Sequence, residues 1–247
     1  SLKLLHTCLK NIYQTNKLIW RNMKIIQSLT AFMLIISFNV FAVPEGAFTT
    51  LHVKAKDVDK YIELMKKNTT PFEAIGSDLA GVCVTKTGHQ YPGEMFVWNA
   101  SPNVEKAFAA TDLYDPMKAT GQYKSMRKVK YSSTFKPLKE FKLQPAYERL
   151  WRLNLNNPMA YTQKMIELEE AIRSAGHDMN IGVFQPLGGG TEVFHVRAVS
   201  QSASELGKVV DEYFAGASWA QIWDESAKYV DEIVSDTIEH CQIIYTR

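Results

Sequence analysis

The sequence is poor in cysteine, and it lacks the short motifs that most often reveal an enzyme or a metal site. Only three of its 247 residues are cysteine, and neither a CxxC pair nor a zinc-type combination of cysteine and histidine occurs. The six histidines show no HxH or HExxH spacing. A GxSxG nucleophile motif and a GxxxxGK(S/T) phosphate loop are absent as well. The sequence therefore predicts no metal site and no cofactor, and it leaves any catalytic residues unknown.

Long hydrophobic runs are scarce, and the clearest one lies near the N-terminus. Lys24 gives a basic start, the stretch from Leu29 to Phe38 is apolar and uncharged, and Ala42 is a small residue at a suitable cleavage position. This order is typical of a secretory signal peptide, whereas a membrane-spanning helix needs about 20 consecutive apolar residues. We predict a cleavable signal peptide over 23–42, with a retained N-terminal anchor as the alternative.

Acidic residues are absent from 1–42, and this changes the meaning of the overall charge. That segment carries five lysines and arginines, so the rest of the chain has 23 basic against 26 acidic residues, a net charge of −3. Nucleic-acid binding depends on a basic face and is therefore not expected. We expect 1–22 to be a translated upstream extension or a long n-region, with translation starting at Met23. The protein should then be exported, to the periplasm or outside the cell, with no stable membrane span after cleavage.

From residue 43 onward the sequence predicts the same order of strands and helices twice. In the second half, a strand precedes a helix that Asn157 caps and Pro158 begins. Two strands around the glycines at 188–190 follow, then a helix that Ser202 caps, a second helical piece that carries apolar residues from Trp219 to Ile233, and a last strand. The predicted strands of this half are Tyr147–Leu155, Met179–Leu187, Glu192–Val199 and Thr237–Tyr245.

The first half repeats this order with different residues. Asp57 is predicted to cap its first helix and Ser101 with Pro102 to begin its second, with a further helical piece over 116–126. The predicted strands of this half are Phe48–Lys54, Leu79–Thr87, Glu94–Asn99 and Tyr131–Leu143. We interpret the chain as a tandem duplication with repeats at 43–145 and 146–247. A chance likeness between two common α+β modules is the alternative.

The order β-α-β-β-α-β is that of the ferredoxin-like unit, an antiparallel sheet with helices on one face. Two such units can press their open sheet faces together, which predicts an α+β fold in which two repeats form a pseudo-dimeric α/β barrel. In this architecture the chain resembles the dimeric α/β-barrel superfamily, which includes the antibiotic-biosynthesis monooxygenases, NIPSNAP-like proteins and stress-response barrel proteins. The resemblance implies a monomer with an internal pseudo-dimer, or a homodimer. It rests on no specific motif, so no functional residue is carried over.

Alternation along the strands predicts which side chains face the space between the two sheets. The repeats are aligned by matching Leu51 to Trp151 and Glu94 to Glu192. In each first and third strand the more uniformly apolar face should pack on the repeat's own helices, so the partly polar face points into that space. The candidate ligand-binding residues are His52, Lys54, Asn99, Arg152, Asn154, His195 and Arg197. Because this set is mainly cationic, we expect an anionic ligand there. Alternatively, these groups pair with one another or with Glu94, Glu148 and Glu192, or reach water at the strand ends.

Cys83 and Cys241 are the cysteines outside the predicted leader, and both lie on strands at the edges of their predicted sheets. A closed barrel would pair edges from different repeats. A Cys83–Cys241 disulfide across that seam is therefore one hypothesis for an exported protein, and two buried free thiols are the other.

Three functions remain open. The protein binds a small organic or anionic molecule, or it is a cofactor-independent enzyme of the monooxygenase type acting on a planar organic substrate, as the resemblance implies, or it is a structural barrel with a filled interior. A cavity of at least about 300 Å³ between the sheets would favour the first two, and an interior filled by side chains would favour the third.

Overall fold

The structure is a computed structural model that describes residues 43–119 and 121–247. The predicted extension and signal peptide lie outside the described residues. The strands are β1 Ala47–Ala55, β2 Leu79–Thr87, β3 Glu94–Ser101, β4 Arg127–Pro137, β5 Ala146–Leu155, β6 Asn180–Leu187, β7 Phe194–Ser200 and β8 Val230–Thr246. The helices are α1 Val58–Lys67, α2 Thr70–Ala74, α3 Val104–Leu113, α4 Gly121–Met126, α5 Pro158–Ser174, α6 Ala203–Phe214 and α7 Ala220–Ser226. Among these described helices, none has the length and apolar character needed to cross a bilayer.

Three helices begin where their capping residues predict. The side chains of Asp57, Asn157 and Ser202 each accept a hydrogen bond of 3.1 Å from the backbone N–H three residues later, which satisfies a donor that the helix itself leaves open. The second helix of the first repeat differs from its prediction. Ser101 is the last residue of β3, and α3 is capped by Asn103 instead.

Most strands lie within two residues of their predicted bounds, and two depart further from them. β4 begins at Arg127 and ends at Pro137, rather than running from Tyr131. β8 begins at Val230, in a stretch whose apolar spacing indicates a helix. In both cases pairing with a neighbouring strand decides the conformation, since 127–129 of β4 pair with β1 and 230–236 of β8 pair with β5.

The strands close into one antiparallel barrel in the order β1-β3-β2-β8-β5-β7-β6-β4. Each repeat supplies four consecutive positions of this order, β4-β1-β3-β2 from the first and β8-β5-β7-β6 from the second. That is the strand order of the ferredoxin-like unit. The predicted α+β fold, with two βαββαβ repeats forming a pseudo-dimeric α/β barrel, is therefore confirmed.

Two seams join the repeats. β2 pairs with β8 along nearly its whole length, whereas β4 pairs with β6 only over 134–137 and 184–187. In the longer seam Cys83 lies directly opposite Cys241 and a disulfide joins them, with the Cα atoms 4.0 Å apart. The bond links positions 158 residues apart in the sequence, so it ties the first repeat to the last strand of the second.

Buried hydrophobic side chains form three clusters. One packs the helices of the first repeat on the outside of its sheet, and another does so in the second repeat. The third lies in the lumen, the space that the barrel encloses. Its members are Phe48, Cys83, Phe96, Trp98, Phe135, Leu150, Phe184 and Cys241. Side chains from both repeats thus meet inside the barrel.

Candidate functional site

Four of the candidate residues lie together in the lumen. His52, Arg152, His195 and Arg197 project inward from β1, β5 and β7, and three of them are among the most deeply buried polar residues of the protein. Arg152 lies opposite His195 in the β5–β7 pairing, so their side chains share one face of the sheet. What these groups do depends on the carboxylates beside them.

Glu192 is the centre of this cluster. Its carboxylate accepts hydrogen bonds from Arg152 Nε at 3.1 Å, His195 Nε2 at 2.9 Å and the Tyr131 hydroxyl at 2.6 Å. His52 Nε2 lies 3.4 Å from the same carboxylate. Residues from β1, β4, β5 and β7 therefore converge on one buried anion that joins the two repeats.

The pKa values in this cluster keep the charges fixed near neutral pH. Burial alone would raise the pKa of Glu192, but the hydrogen bond from His195 and the charge of Arg152 hold it well below the ordinary range. Burial lowers the pKa of His195 to about 3, against the effect of its bond to Glu192. Burial and the charge of Arg152 also lower the pKa of His52. Both histidines are therefore neutral donors, and Arg152 is the cation that balances Glu192.

A second group of buried charges lies next to the disulfide. Arg197 donates to Glu148, and Glu148 lies directly opposite Glu239 in the β5–β8 pairing. Burial, followed by the charge of Glu148, raises the pKa of Glu239 to about 7. One oxygen of Glu239 accepts from the Thr237 hydroxyl at 3.1 Å, and the other has no hydrogen-bond partner among the described residues. The two carboxyl groups therefore share this site with one of them largely protonated below pH 7.

The lumen consequently differs from the cationic cavity that the residue set suggests. Each of its two arginines has a carboxylate partner, Glu192 for Arg152 and Glu148 for Arg197. The space left beside Arg197 and the disulfide measures about 40 Å³, far less than a ligand of drug size occupies. Ion pairing among the candidate residues and an interior filled by side chains were the predicted alternatives to a ligand cavity in the lumen.

The other three candidates lie elsewhere. Asn99 pairs with Thr49 on the helix side of the first repeat's sheet, so its predicted inward direction was wrong. Lys54 is exposed at the end of β1. Asn154 lies near the end of β5, where its amide donates to Glu232 at 2.9 Å. The structure thus brings together four of the seven predicted residues and not the others.

A larger cavity lies on the outside of the first repeat's sheet, between β1, β3 and β4 and the helices that cover them. This helix-side cavity measures about 470 Å³. Most of its wall is apolar, from the sheet, from α1 to α3 and from the segment after α3. Examples are Leu51, Met65, Phe72, Val97, Ala107 and Ala110. Asn99 is one of its polar lining residues, together with Tyr114 and Arg127.

The second repeat shows why the first has room for this cavity. Ala107 and Ala110 of α3 correspond to Leu206 and Val209 of α6, and all four are buried. The position of Leu51 in β1 is taken in β5 by Trp151, whose ring packs against Trp223 at 4.9 Å between centroids. Larger side chains therefore fill in the second repeat the space that small ones leave open in the first.

Arg127 is the buried cation of the cavity wall. It lies at the start of β4 and is 8% exposed. Its NH1 group donates to the Tyr61 hydroxyl at 2.5 Å and its NH2 group to the Tyr114 hydroxyl at 2.8 Å. The guanidinium carbon also lies 5.6 Å from the centre of the Tyr123 ring.

Sequence reasoning missed Arg127 because it placed this residue between a helical piece and a strand. One signal was available. Val129 is an apolar residue two positions after Arg127, and it packs with the buried cluster between the sheet and helices of the first repeat, on the other side of a bulge from Tyr131. A strand extended back through Val129 would have put Arg127 on the same, buried face.

A single-chain barrel of two ferredoxin-like repeats is the fold of the dimeric α/β-barrel proteins, and solved structures bear this out. A variant of chlorite dismutase from Candidatus Nitrospira defluvii is 7% identical, with a TM-score of 0.53 over 83% of this chain and 94% of that one. A provisionally named monooxygenase from Lactobacillus acidophilus is 10% identical, with a TM-score of 0.50 over 81% and 95% of the two chains. An anthrone oxidase-like protein is also 10% identical, with a TM-score of 0.50 over 80% and 93%. At these identities the likeness shows the fold alone.

No protein-family profile matches the sequence, and no curated protein matches it either.

Proposed function

We propose that this protein binds a small organic molecule in the helix-side cavity of its first repeat. The observation that carries the proposal is the volume of about 470 Å³, which lies in the range of ligand pockets, about 300–1,000 Å³. Its composition also suits a ligand, because a mainly apolar wall with a few converging polar groups is typical of such pockets.

The difference between the repeats supports this proposal. A cavity in an apolar layer lowers the stability of a protein, because the side chains around it lose packing contacts. The second repeat shows that this fold accommodates leucine and valine where the first has Ala107 and Ala110. A bound ligand would supply the missing contacts, so small residues at these positions favour binding over packing.

Filling the cavity with the residues of the second repeat tests the proposal. The variant Ala107→Leu with Ala110→Val should fold, and it should lose binding of two probes, 2-naphthoate and its neutral amide, in isothermal titration calorimetry. Ala109→Leu is the matched control, since Ala109 is exposed on the same helix and its enlargement should leave binding unchanged. Failure of both probes to bind the unmodified protein, or equal binding by the filled variant, would overturn the proposal.

We further propose that the protein works outside the cytoplasm. Support comes from the signal-peptide pattern at 23–42 and from the Cys83–Cys241 disulfide, a bond that persists mainly in oxidising compartments. Binding of a small molecule that diffuses through the periplasm or the medium would suit such a location.

The monooxygenase alternative remains a prediction. It is favoured by the names of two structural neighbours, one a monooxygenase and one an anthrone oxidase-like protein. The cavity wall contains Tyr114, Tyr123 and Arg127, and no contact among its described residues assigns a catalytic role to any of them. Binding is therefore the function that the geometry supports best.

A further inference from the structure

We infer that the ligand of the helix-side cavity is an organic carboxylate whose charged group binds Arg127 and Tyr114. This inference rests on the proposed function and adds the chemical class of the ligand to it. It depends on the surroundings of Arg127, which differ from those of every other described arginine.

Arg127 has no carboxylate partner within the described part of the chain. The other five arginines described each have a carboxylate within 4.0 Å. They are Arg149, Arg152, Arg173, Arg197 and Arg247. Burying a charge is costly unless an opposite charge and hydrogen bonds compensate it. A buried, unpaired guanidinium on a cavity wall therefore points to an anion that comes from outside the chain.

Tyr61, the tyrosine in closest contact with Arg127, does not supply that negative charge. Burial raises the pKa of Tyr61 to about 12, despite the opposing effect of Arg127, so its hydroxyl stays protonated at neutral pH. The hydroxyl oxygens of Tyr61 and Tyr114 both accept a hydrogen bond from Arg127. They hold the guanidinium in place, and they use two of its five N–H donors.

Tyr114 is suited to take part in binding. Its hydroxyl oxygen accepts from Arg127 at 2.8 Å, and its own proton has no acceptor among the described contacts. Since Tyr114 and Arg127 both line the cavity, an anion near them can accept from the hydroxyl and the guanidinium together. Charge-assisted hydrogen bonds of this kind are stronger than neutral ones.

The charge balance at the cavity favours a carboxylate over a phosphate dianion. Arg127 is one positive charge, and the nearby Lys118 lies 3.4 Å from Asp115, which partly neutralises it. Asp112 also lines the cavity, and its charge would oppose a second negative charge on the ligand. A single carboxylate with an apolar body matches both the cation and the apolar wall.

A matched pair of probes tests the class of ligand. The unmodified protein should bind 2-naphthoate about tenfold or more tightly than 2-naphthamide at pH 7.5, because a hydrogen bond to a charged group contributes more than one to a neutral group. Arg127→Gln should remove most of this preference by weakening naphthoate alone. Tyr114→Phe should reduce it by a smaller factor. Arg149→Gln, which changes a paired arginine of the other repeat, should leave it unchanged.

The outcomes separate this inference from the proposed function. If the unmodified protein binds both probes equally and the filled variant binds neither, the proposed binding site stands and the inference of a carboxylate ligand is wrong. An unchanged preference in folded Arg127→Gln would overturn it as well. Binding of neither probe would overturn both proposals. If Arg127→Gln fails to fold, as judged by circular dichroism, the binding of the two probes to the unmodified protein and to Tyr114→Phe still shows whether the cavity prefers a carboxylate.

Discussion

At the scale of single residues, Glu192 links several strands of the barrel through one buried carboxylate. It accepts hydrogen bonds from Arg152, His195 and Tyr131, and these donors come from three different strands of the barrel. Because the two histidines beside it are neutral, the pairing with Arg152 is a single buried ion pair surrounded by neutral donors. Such a pair contributes little net free energy when complete, but its disruption is costly.

Glu192→Gln should therefore lower the free energy of unfolding by about 3–5 kcal/mol, because Arg152 would be left as an uncompensated buried charge. Urea unfolding followed by tryptophan fluorescence measures the change. Asp236→Asn is the matched control, since Asp236 pairs with Arg149 at a partly exposed site, where an ion pair contributes about 1 kcal/mol or less. Equal losses in the two variants would contradict the role assigned to Glu192.

At the scale of elements, the pairing of β5 with β8 places Glu148 directly opposite Glu239 in the lumen. Like charges opposite each other destabilise a sheet, and burial adds to the cost. Burial raises the pKa of both carboxyl groups, and that of Glu239 reaches about 7, against an ordinary value of 4.5. A raised carboxyl pKa means that the folded state holds its proton more tightly than the unfolded state does.

The stability that this proton confers is fully present below about pH 4.5 and is lost as the pH rises through about 7. Glu239→Gln removes this titrating group. The free energy of unfolding of the variant minus that of the unmodified protein should therefore increase from pH 5 to pH 8, by up to about 3 kcal/mol. Urea unfolding at four pH values measures this difference. Glu232→Gln, at the exposed rim, should show no such trend, and a flat difference for Glu239→Gln would contradict the account.

The same scale explains what the sequence could and could not predict. Strand order, the barrel and most caps follow from local patterns. Local patterns do not predict which side chains of β3 point into the lumen, because that depends on the register of strand pairing. His52 lies opposite Phe96, and Arg152 lies opposite His195. Matching Glu94 to Glu192 is off by one residue, and in a strand one residue reverses the face. Asn99 was therefore predicted on the wrong side.

The helix-side cavity was beyond prediction for a related reason. Ala107 and Ala110 are ordinary helix residues in the sequence, and Arg127 sits outside the predicted strand. Only the comparison of packed repeats shows that Leu206 and Val209 fill the corresponding space. A cavity forms where the side chains that the fold brings together are too small to fill the space between them. Local sequence does not show which side chains will meet.

At the scale of the whole molecule, the residues just after the predicted cleavage site are held by the barrel. Lys136 of β4 donates to the carbonyl oxygens of Pro44 at 2.6 Å and Gly46 at 3.2 Å. A cut after Ala42 would keep both contacts and all of β1. The disulfide between Cys83 and Cys241 is the second feature at this scale, since it closes the seam between repeats.

Export predicts a specific mature form. A bacterium that expresses the chain from Met23 should hold, in its periplasm, a protein that begins at Val43 and has no free thiol before reduction. Intact-mass measurement and thiol titration under denaturing conditions determine both properties. Ala42→Arg places a large charged residue at the cleavage position and should leave the precursor uncut, while Glu45→Gln, beyond it, should not.

These two measurements are linked, because a reducing cytoplasm keeps cysteines as thiols. Uncut protein in the cytoplasm with two titratable thiols would contradict export. A cut, periplasmic protein with two free thiols would support the signal peptide and contradict the disulfide across the seam. Since the bond joins residues 158 positions apart, its loss would also remove a constraint on the unfolded chain worth about 4–5 kcal/mol. A barrel without it should therefore unfold at lower urea concentration, which gives an independent check of the same conclusion.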